Sequence, residues 1–174
     1  MEPSSETPSP LVQTAADSRW LSLGPIMARI LIPADATGGA FGVIESPIDA
    51  GTLASPMHIH TKEDGWWYIL EGSFAAKIGD ETVTAEPGSL VRAPRGIPHT
   101  YWNPGPARAR YLELFAPGGL ERYFEQIASL LGADPPDIQT ILELPGEYGL
   151  ELLWDSVAEL QEKHGVQLPG LPER

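Results

Sequence analysis

Short runs of β-branched and aromatic residues alternate with turn residues between Trp20 and Phe115. The runs are ARILI, FGVIES, WWYILEG, SFAAKIG, TVTA, SLVRAP, HTYWN and RYLELFA, and Gly, Pro, Asn or Asp separates most of them. Such runs are typical of strands joined by turns, and no helical periodicity interrupts them. The pattern therefore predicts a mainly β fold, an antiparallel sandwich or barrel, over residues 19–117.

The hydrophobic period changes after Pro117. Four apolar residues then recur at spacings of four, three and four: Leu120, Phe124, Ile127 and Leu131. A second apolar stripe precedes Gly165 and consists of Leu150, Leu153, Trp154, Val157 and Leu160. Both stripes have the spacing of one helical face, and a glycine often follows the end of a helix. Residues 118–174 are therefore expected to form a helical extension that packs on the β domain.

The first 18 residues are rich in Ser, Pro, Thr and Glu and hold few large apolar side chains. Such a segment buries too little apolar surface to offset the entropy cost of ordering, so we expect residues 1–18 to be a disordered tail. This end shows no basic and apolar leader pattern, and no apolar run approaches the roughly 20 residues of a spanning helix. We therefore expect a cytoplasmic protein without a membrane partner.

The net charge and the lack of cysteine exclude several classes of binding partner and of metal or catalytic site. The chain has 24 acidic and 11 basic residues, a net charge of -13, which disfavours binding to nucleic acid phosphates. Cysteine is absent, which excludes disulfides, zinc–thiolate sites and a thiol nucleophile. A bound metal would therefore use histidine, carboxylate or water, and the expected partner is a small molecule.

Three of the four histidines lie in the β-rich region. His58 and His60 are two residues apart, so in a strand their side chains project from the same face and can reach one ion about 2 Å away. An H-x-H pair is also common on polar strand faces. The pair therefore needs support from another part of the sequence.

A second segment provides that support. Gly88, Pro94, Gly96, His99 and Asn103 follow the spacing G-x5-P-x-G-x2-H-x3-N. This segment resembles the second cupin motif, and residues 51–72 resemble the first, which contains H-x-H and closes on a glycine, here Gly72. The resemblance covers residues 38–117 and implies a single antiparallel cupin (jelly-roll) β-barrel. It also implies that His58, His60 and His99 share one metal ion.

A wider resemblance includes TGGAFGVIE and the helical C-terminus. In these features the chain is similar to small bacterial monocupins of the quercetin 2,3-dioxygenase-like type. This resemblance implies one divalent transition metal ion per chain, Fe, Ni, Mn, Co or Zn, and a dioxygenase-like oxidoreductase. A shared fold does not by itself fix a reaction, so the substrate stays open.

The first motif departs from the family pattern at Gly65. The family places a glutamate, the fourth metal ligand, seven residues before the closing glycine, and that position is Gly65 here. Asp64 is an alternative ligand, but strand alternation places Gly65 and Trp67 inward and Asp64 outward. In quercetinase-like cupins this glutamate is thought to accept the substrate's hydroxyl proton, so its absence argues against flavonol cleavage itself.

An ion held by three neutral histidines keeps its full positive charge and open coordination positions. We expect such an ion to favour an anionic, chelating ligand such as an enolate, a β-diketonate or a catecholate. Trp67 and Tyr101 should face inward with the histidines and give an aromatic substrate pocket.

These features lead to three hypotheses. The first is a mononuclear metal-dependent (di)oxygenase that acts on a small, chelating, aromatic or enol-type molecule. The alternatives are a non-redox metal-dependent isomerase or cyclase, and a non-catalytic binding cupin that has lost the motif glutamate. Exposed edge strands in a small β domain also suggest a homodimer.

Overall fold

The structure is a computed structural model that describes Val12, Thr14, residues 18–24 and residues 26–169. Almost all of the segment expected to be a disordered tail lies outside these residues. The strands are β1 (Leu21–Ser22), β2 (Met27–Ile32), β3 (Gly42–Ile48), β4 (Met57–His60), β5 (Asp64–Glu71), β6 (Phe74–Ile78), β7 (Glu81–Ala85), β8 (Leu90–Ala93), β9 (His99–Trp102), β10 (Ala109–Ala116) and β11 (Leu150–Leu153). The α-helices are α1 (Glu121–Leu131), α2 (Ile138–Glu147) and α3 (Ser156–His164), and a short 3-10 helix spans Ala34–Thr37.

The strands form two antiparallel sheets. One has the order β1-β2-β3-β10-β5-β8, and the other has the order β11-β4-β9-β6-β7. The prediction of a mainly β, antiparallel fold is confirmed. Strand pairing in the described part of the chain defines two sheets that share a core, and it does not define a single closed barrel.

Period-2 alternation builds the core between the sheets. Along β10, Ala109, Tyr111, Glu113 and Phe115 are buried, whereas the residues between them are partly exposed. Trp67 and Ile69 of the neighbouring strand β5, and Phe74 of β6 in the opposite sheet, belong to the same core cluster. A glutamate therefore lies on an otherwise apolar inward face.

Gly72 closes the turn between β5 and β6. Its φ is +77°, in the left-handed region, and a Cβ atom there would lie 2.6 Å from Cα of Ala109. Only glycine accepts both the dihedral angle and the close approach. Glycine is thus required for steric reasons at the position that closes the first motif.

The C-terminal segment is only partly as predicted. The first helix is confirmed as α1, and a helix does end before Gly165, which adopts φ of +65°. The prediction of helix over Leu150–Leu153 is wrong, because these residues form β11 and pair with β4. Gly149, with φ of +75°, interrupts the helical backbone, and β11 then supplies the hydrogen-bonding partners for the free edge of β4.

The three helices lie on two sides of the sheets. Helix α1 packs against β1 and β3, and α2 packs against α1 and β11. Helix α3 covers the outer face of the five-stranded sheet, where the rings of Trp102 and His164 lie 4.2 Å apart. No helix among the described residues is long and apolar enough to span a membrane. Helix α2 thus packs on β11, the strand that pairs with histidine-bearing β4, and α1 packs on α2.

Candidate metal centre

Strands β4 and β9 bring three histidines together. His58 of β4 and His99 of β9 are direct neighbours across the sheet, and His60 follows His58 on the same face. One ring nitrogen from each residue lies within 4.8 Å of those of the other two. All three side chains are at most 9% exposed. The three histidines singled out in the sequence thus form one compact group that could hold a metal ion.

Hydrogen bonds to backbone carbonyls orient two of the rings. Nδ1 of His58 lies 3.1 Å from the carbonyl oxygen of Pro56, and Nδ1 of His99 lies 2.8 Å from that of Ile97. A carbonyl can only accept, so Nδ1 carries the proton and Nε2 keeps its lone pair. This donor set fits a divalent transition metal ion, which binds neutral imidazole nitrogens.

Burial keeps these histidines neutral. Desolvation, followed by repulsion from His99 and His60, holds the pKa of His58 well below its usual value. Desolvation and His99 lower the pKa of His60 to about 3, and desolvation lowers the pKa of His99. Neutral imidazoles are the form that binds metal, so the group need lose no protons at neutral pH.

The second motif fixes the position of β9. Gly96, with φ of +75°, donates its N–H to the carbonyl oxygen of His60 at 2.8 Å. The amide of Asn103 donates to the carbonyl oxygens of Ile48 and Ala107 and accepts from the N–H of Gly105. The glycine and the asparagine of the motif thus hold the two ends of the strand that carries His99.

No carboxylate occupies the motif position of the fourth ligand. Asp64 lies on the outer surface, where hydrogen bonds from Arg95 hold its pKa at about 2, with a further bond from Arg92. Gly65 faces inward, and a Cβ atom there would lie 3.7 Å from Cβ of Ala93, an ordinary contact. Within the described ranges, the residues grouped closely enough to share an ion are the three histidines.

Glu63 lies behind His60. Its carboxylate is 5% exposed, and Oε2 lies 3.9 Å from Nδ1 of His60. Neither atom has a hydrogen-bond partner among the described residues, and burial raises the pKa of Glu63. A carboxylate at this place can orient the ring of a metal-binding histidine. The sequence pattern did not distinguish this role for Glu63 from that of an ordinary acidic residue.

A cavity of about 200 Å³ opens beside the histidines. His58, His60, Tyr101 and Glu113 line its end in the β domain. Helices α1 and α2 supply a largely apolar wall that includes Tyr123, Phe124, Ile127, Leu131, Ile141 and Leu142. Trp154, after β11, also lines the cavity. The helical segment, which the sequence indicated only as packing on the β domain, therefore forms part of the site.

The two aromatic residues expected in the pocket differ in position. Tyr101 lines the cavity, and its hydroxyl is hydrogen-bonded to that of Tyr111. Trp67 faces the same way but is fully buried and is not among the lining residues. Its ring packs against those of His99 and Tyr101, at 5.6 and 5.1 Å. Trp67 thus packs behind His99 and Tyr101 and does not itself line the cavity.

Glu113 of β10 was not singled out in the sequence. Its side chain is 6% exposed, lines the cavity and forms no ion pair with the described residues. Burial raises the pKa of Glu113 to about 8, and the nearby indole N–H of Trp67, which has no hydrogen-bond partner among the described residues, acts in the opposite direction. A charged residue on the apolar side of the run RYLELFA was the signal that could have identified it.

The two-sheet fold, the histidine group and the adjoining cavity define a mainly β protein with a candidate metal site that borders a cavity. Residues 46–115 match the sequence profile of the Cupin domain family. This matched segment, which carries the three histidines, is therefore a cupin domain. No curated protein matches the whole sequence significantly.

Solved structures agree with this fold. KdgF from Halomonas sp. superposes with a TM-score of 0.56 at 18% identity, covering 66% of this chain and 99% of that chain. An RmlC-like cupin from Shewanella frigidimarina gives 0.55 at 15% identity, covering 66% and 96%. PAC13 from Streptomyces, solved with uridine, gives 0.54 at 13% identity, covering 66% and 87%. At these identities the likeness supports the fold alone.

Proposed function

We propose that this protein is a mononuclear metal-dependent cupin enzyme, a dioxygenase-like oxidoreductase that acts on a small, chelating, aromatic or enol-type molecule. The observation that carries the proposal is the opening of the histidine group onto an apolar cavity of about 200 Å³. His58, His60 and His99 would hold the ion. When bound, a divalent ion supplies Lewis acidity or a centre for oxygen chemistry.

The side chains around the cavity suit such a ligand. The aromatic and aliphatic residues of α1 and α2 bind a flat, apolar body and displace water from it. Gly65 leaves the fourth ligand position without a carboxylate, so oxygens of the ligand can take its place. The carbonyl hydrogen bonds of His58 and His99 keep both rings fixed while the ligand binds.

A non-redox isomerase or cyclase is the second candidate, and Glu113 is the observation that favours it. Such reactions move protons, and a buried carboxyl with a pKa of about 8 can hold or release one near neutral pH. Both candidates place the ligand in the same cavity and differ in their need for oxygen.

Binding of benzoylacetone, an aromatic β-diketone, tests the shared part of the proposal. The full chain is loaded with Co²⁺, and the visible spectrum of the metal is recorded as the probe is added. We expect a spectral change in the wild type. In an Ile127→Trp variant, which fills the cavity from α1, we expect normal Co²⁺ content and no response to the probe. A response of equal size in both proteins would contradict binding in this cavity.

Oxygen dependence then separates the candidates. Consumption of benzoylacetone together with oxygen supports the oxygenase. Conversion without oxygen supports the non-redox enzyme. Binding without conversion of this probe or of related enols favours the non-catalytic binding cupin.

We also propose a homodimer. Strands β7 and β8 are edge strands of the two sheets, and Leu90 of β8 is 64% exposed. Open edges with exposed apolar residues are commonly covered by another chain. Light scattering should give twice the chain mass, and the mass of a single chain at all concentrations would contradict the proposal. The cytoplasmic location stays a prediction.

A further inference from the structure

Glu113 is the one carboxylic acid among the described residues that line the cavity. The other lining residues with ionisable side chains are His58, His60, Tyr101 and Tyr123. The two histidines belong to the candidate metal group, and the hydroxyl of Tyr101 is already bonded to that of Tyr111. Burial raises the pKa of Tyr123 to about 12, so its hydroxyl stays protonated near neutral pH. Glu113 is therefore the group in the cavity that remains available for proton exchange with a ligand.

The cavity favours a neutral ligand on entry and an anionic ligand at the histidine group. Its walls are mostly apolar, which favours entry of a neutral molecule, because charged groups are costly to remove from water. The histidine group, once it holds a divalent cation, favours an oxygen anion. A ligand that enters neutral and is held as an anion must give a proton to a nearby base.

We propose, on the basis of the function above, that Glu113 accepts the hydroxyl proton of an enol or acidic phenol bound in this cavity. The ligand O–H bond breaks and its electron pair stays on the ligand oxygen. A new O–H bond forms on the Glu113 carboxylate, so the negative charge moves from Glu113 to the ligand. The ligand class is thus a neutral enol or acidic phenol whose anion faces His58 and His60, the two histidines that line the cavity.

The surroundings of Glu113 suit this role. Burial raises its pKa to about 8, which makes its carboxylate a stronger base than that of an exposed glutamate. A positive ion held by the histidines would favour the ionised form of Glu113 and lower its pKa towards neutral pH. A base whose acidity lies near that of the ligand and near the working pH transfers protons most effectively. Trp67 lies opposite Glu113 on β5, and Tyr101 and Tyr111 lie close enough to interact with it electrostatically; none of these three side chains carries a charge at neutral pH.

The number of protons released to buffer when a ligand binds tests this transfer. Zinc-loaded full chain is titrated with maltol, a small chelating enol, by calorimetry in buffers of different ionisation enthalpy. In the wild type Glu113 retains the enol proton, whereas in Glu113→Gln the proton must leave for the buffer. We expect the variant to release up to one more proton per maltol, with the difference growing from pH 6 to pH 8.

The controls separate this inference from the proposed function. Glu86→Gln, which changes an exposed glutamate, should release as many protons as the wild type. Equal release by Glu113→Gln and wild type at every pH overturns the inference, as does a zinc-loaded wild type that does not bind maltol. A wild type that retains no zinc instead overturns the proposed metal site.

A second measurement needs no variant at position 113. Infrared difference spectra of the zinc-loaded wild type, with and without maltol, report protonated carboxylic acids directly. Above pH 7 we expect a gain in the carbonyl band of a protonated carboxyl when maltol binds. Absence of that gain overturns the inference even if Glu113→Gln fails to fold.

Discussion

Glu113 should make the metal-free protein less stable as pH rises. Its pKa increases from 4.5 to about 8 in the folded chain because the carboxylate loses its hydration. Between these two values the folded state holds a proton that the unfolded state has lost, so folding stability falls with increasing pH. Glu113→Gln removes this dependence and keeps the shape of the side chain.

The size of the effect follows from the shift. Each pH unit between the two pKa values costs about 1.4 kcal/mol, so from pH 5 to pH 7 the wild type should lose roughly 2–3 kcal/mol relative to Glu113→Gln. The histidines titrate in both proteins and cancel in the difference. Tyr101 and Tyr111 stay protonated, because burial raises the pKa of both well above the usual value.

Urea unfolding followed by tryptophan fluorescence measures this difference. The full chain is treated with a chelator and unfolded at several values from pH 5 to pH 8, beside Glu113→Gln and the exposed control Glu86→Gln. The control should follow the wild type. A stability difference between Glu113→Gln and wild type that does not change with pH would refute the reasoning.

Three further predictions concern the histidine group. Gly65→Glu should slow the loss of metal to a chelator about tenfold or more, because position 65 faces inward and has room for a Cβ atom; unchanged loss would mean that residue 65 does not reach the ion. Glu63→Gln should weaken metal binding by roughly tenfold, since its carboxylate lies 3.9 Å from Nδ1 of His60; isothermal titration with Zn²⁺ checks this, and equal affinity contradicts it. Below pH 6.5 the buried histidines act in the opposite direction to Glu113 and lower the stability of the metal-free chain as pH falls towards 3, because in the unfolded state they take up protons that they do not bind when buried. In urea unfolding the wild type should therefore lose stability relative to His60→Gln as pH falls, and a difference that does not change with pH would contradict the assignment.

The parts of the site that depend on local spacing could be predicted from the sequence. In a strand, side chains two residues apart lie on the same face and adjacent side chains lie on opposite faces. This rule predicted that His58 and His60 share a face and that Asp64 and Gly65 do not. The turn glycines and Asn103 of the second motif indicated where His99 would lie. These features depend on a few neighbouring residues, so the sequence contains them.

The parts that depend on tertiary pairing could not be predicted in the same way. Leu150–Leu153 has a spacing compatible with a helical face, but Gly149 and the free edge of β4 make it a strand. The wall formed by α1 and α2 depends on how the chain crosses the sheets after Pro117, which periodicity does not report. Glu113 could have been identified only by asking why a charged residue stands on the otherwise apolar face of its strand.

Metal content of the full chain tests the central claim most directly. The wild type, a His58→Ala/His99→Ala variant and a His164→Ala control are isolated without added metal and measured by elemental analysis. His164 is the fourth histidine and lies outside the group, so its loss should not matter. The proposed site predicts one divalent ion per chain in the wild type and the control, and little in the double variant. Equal metal content in all three proteins would contradict it.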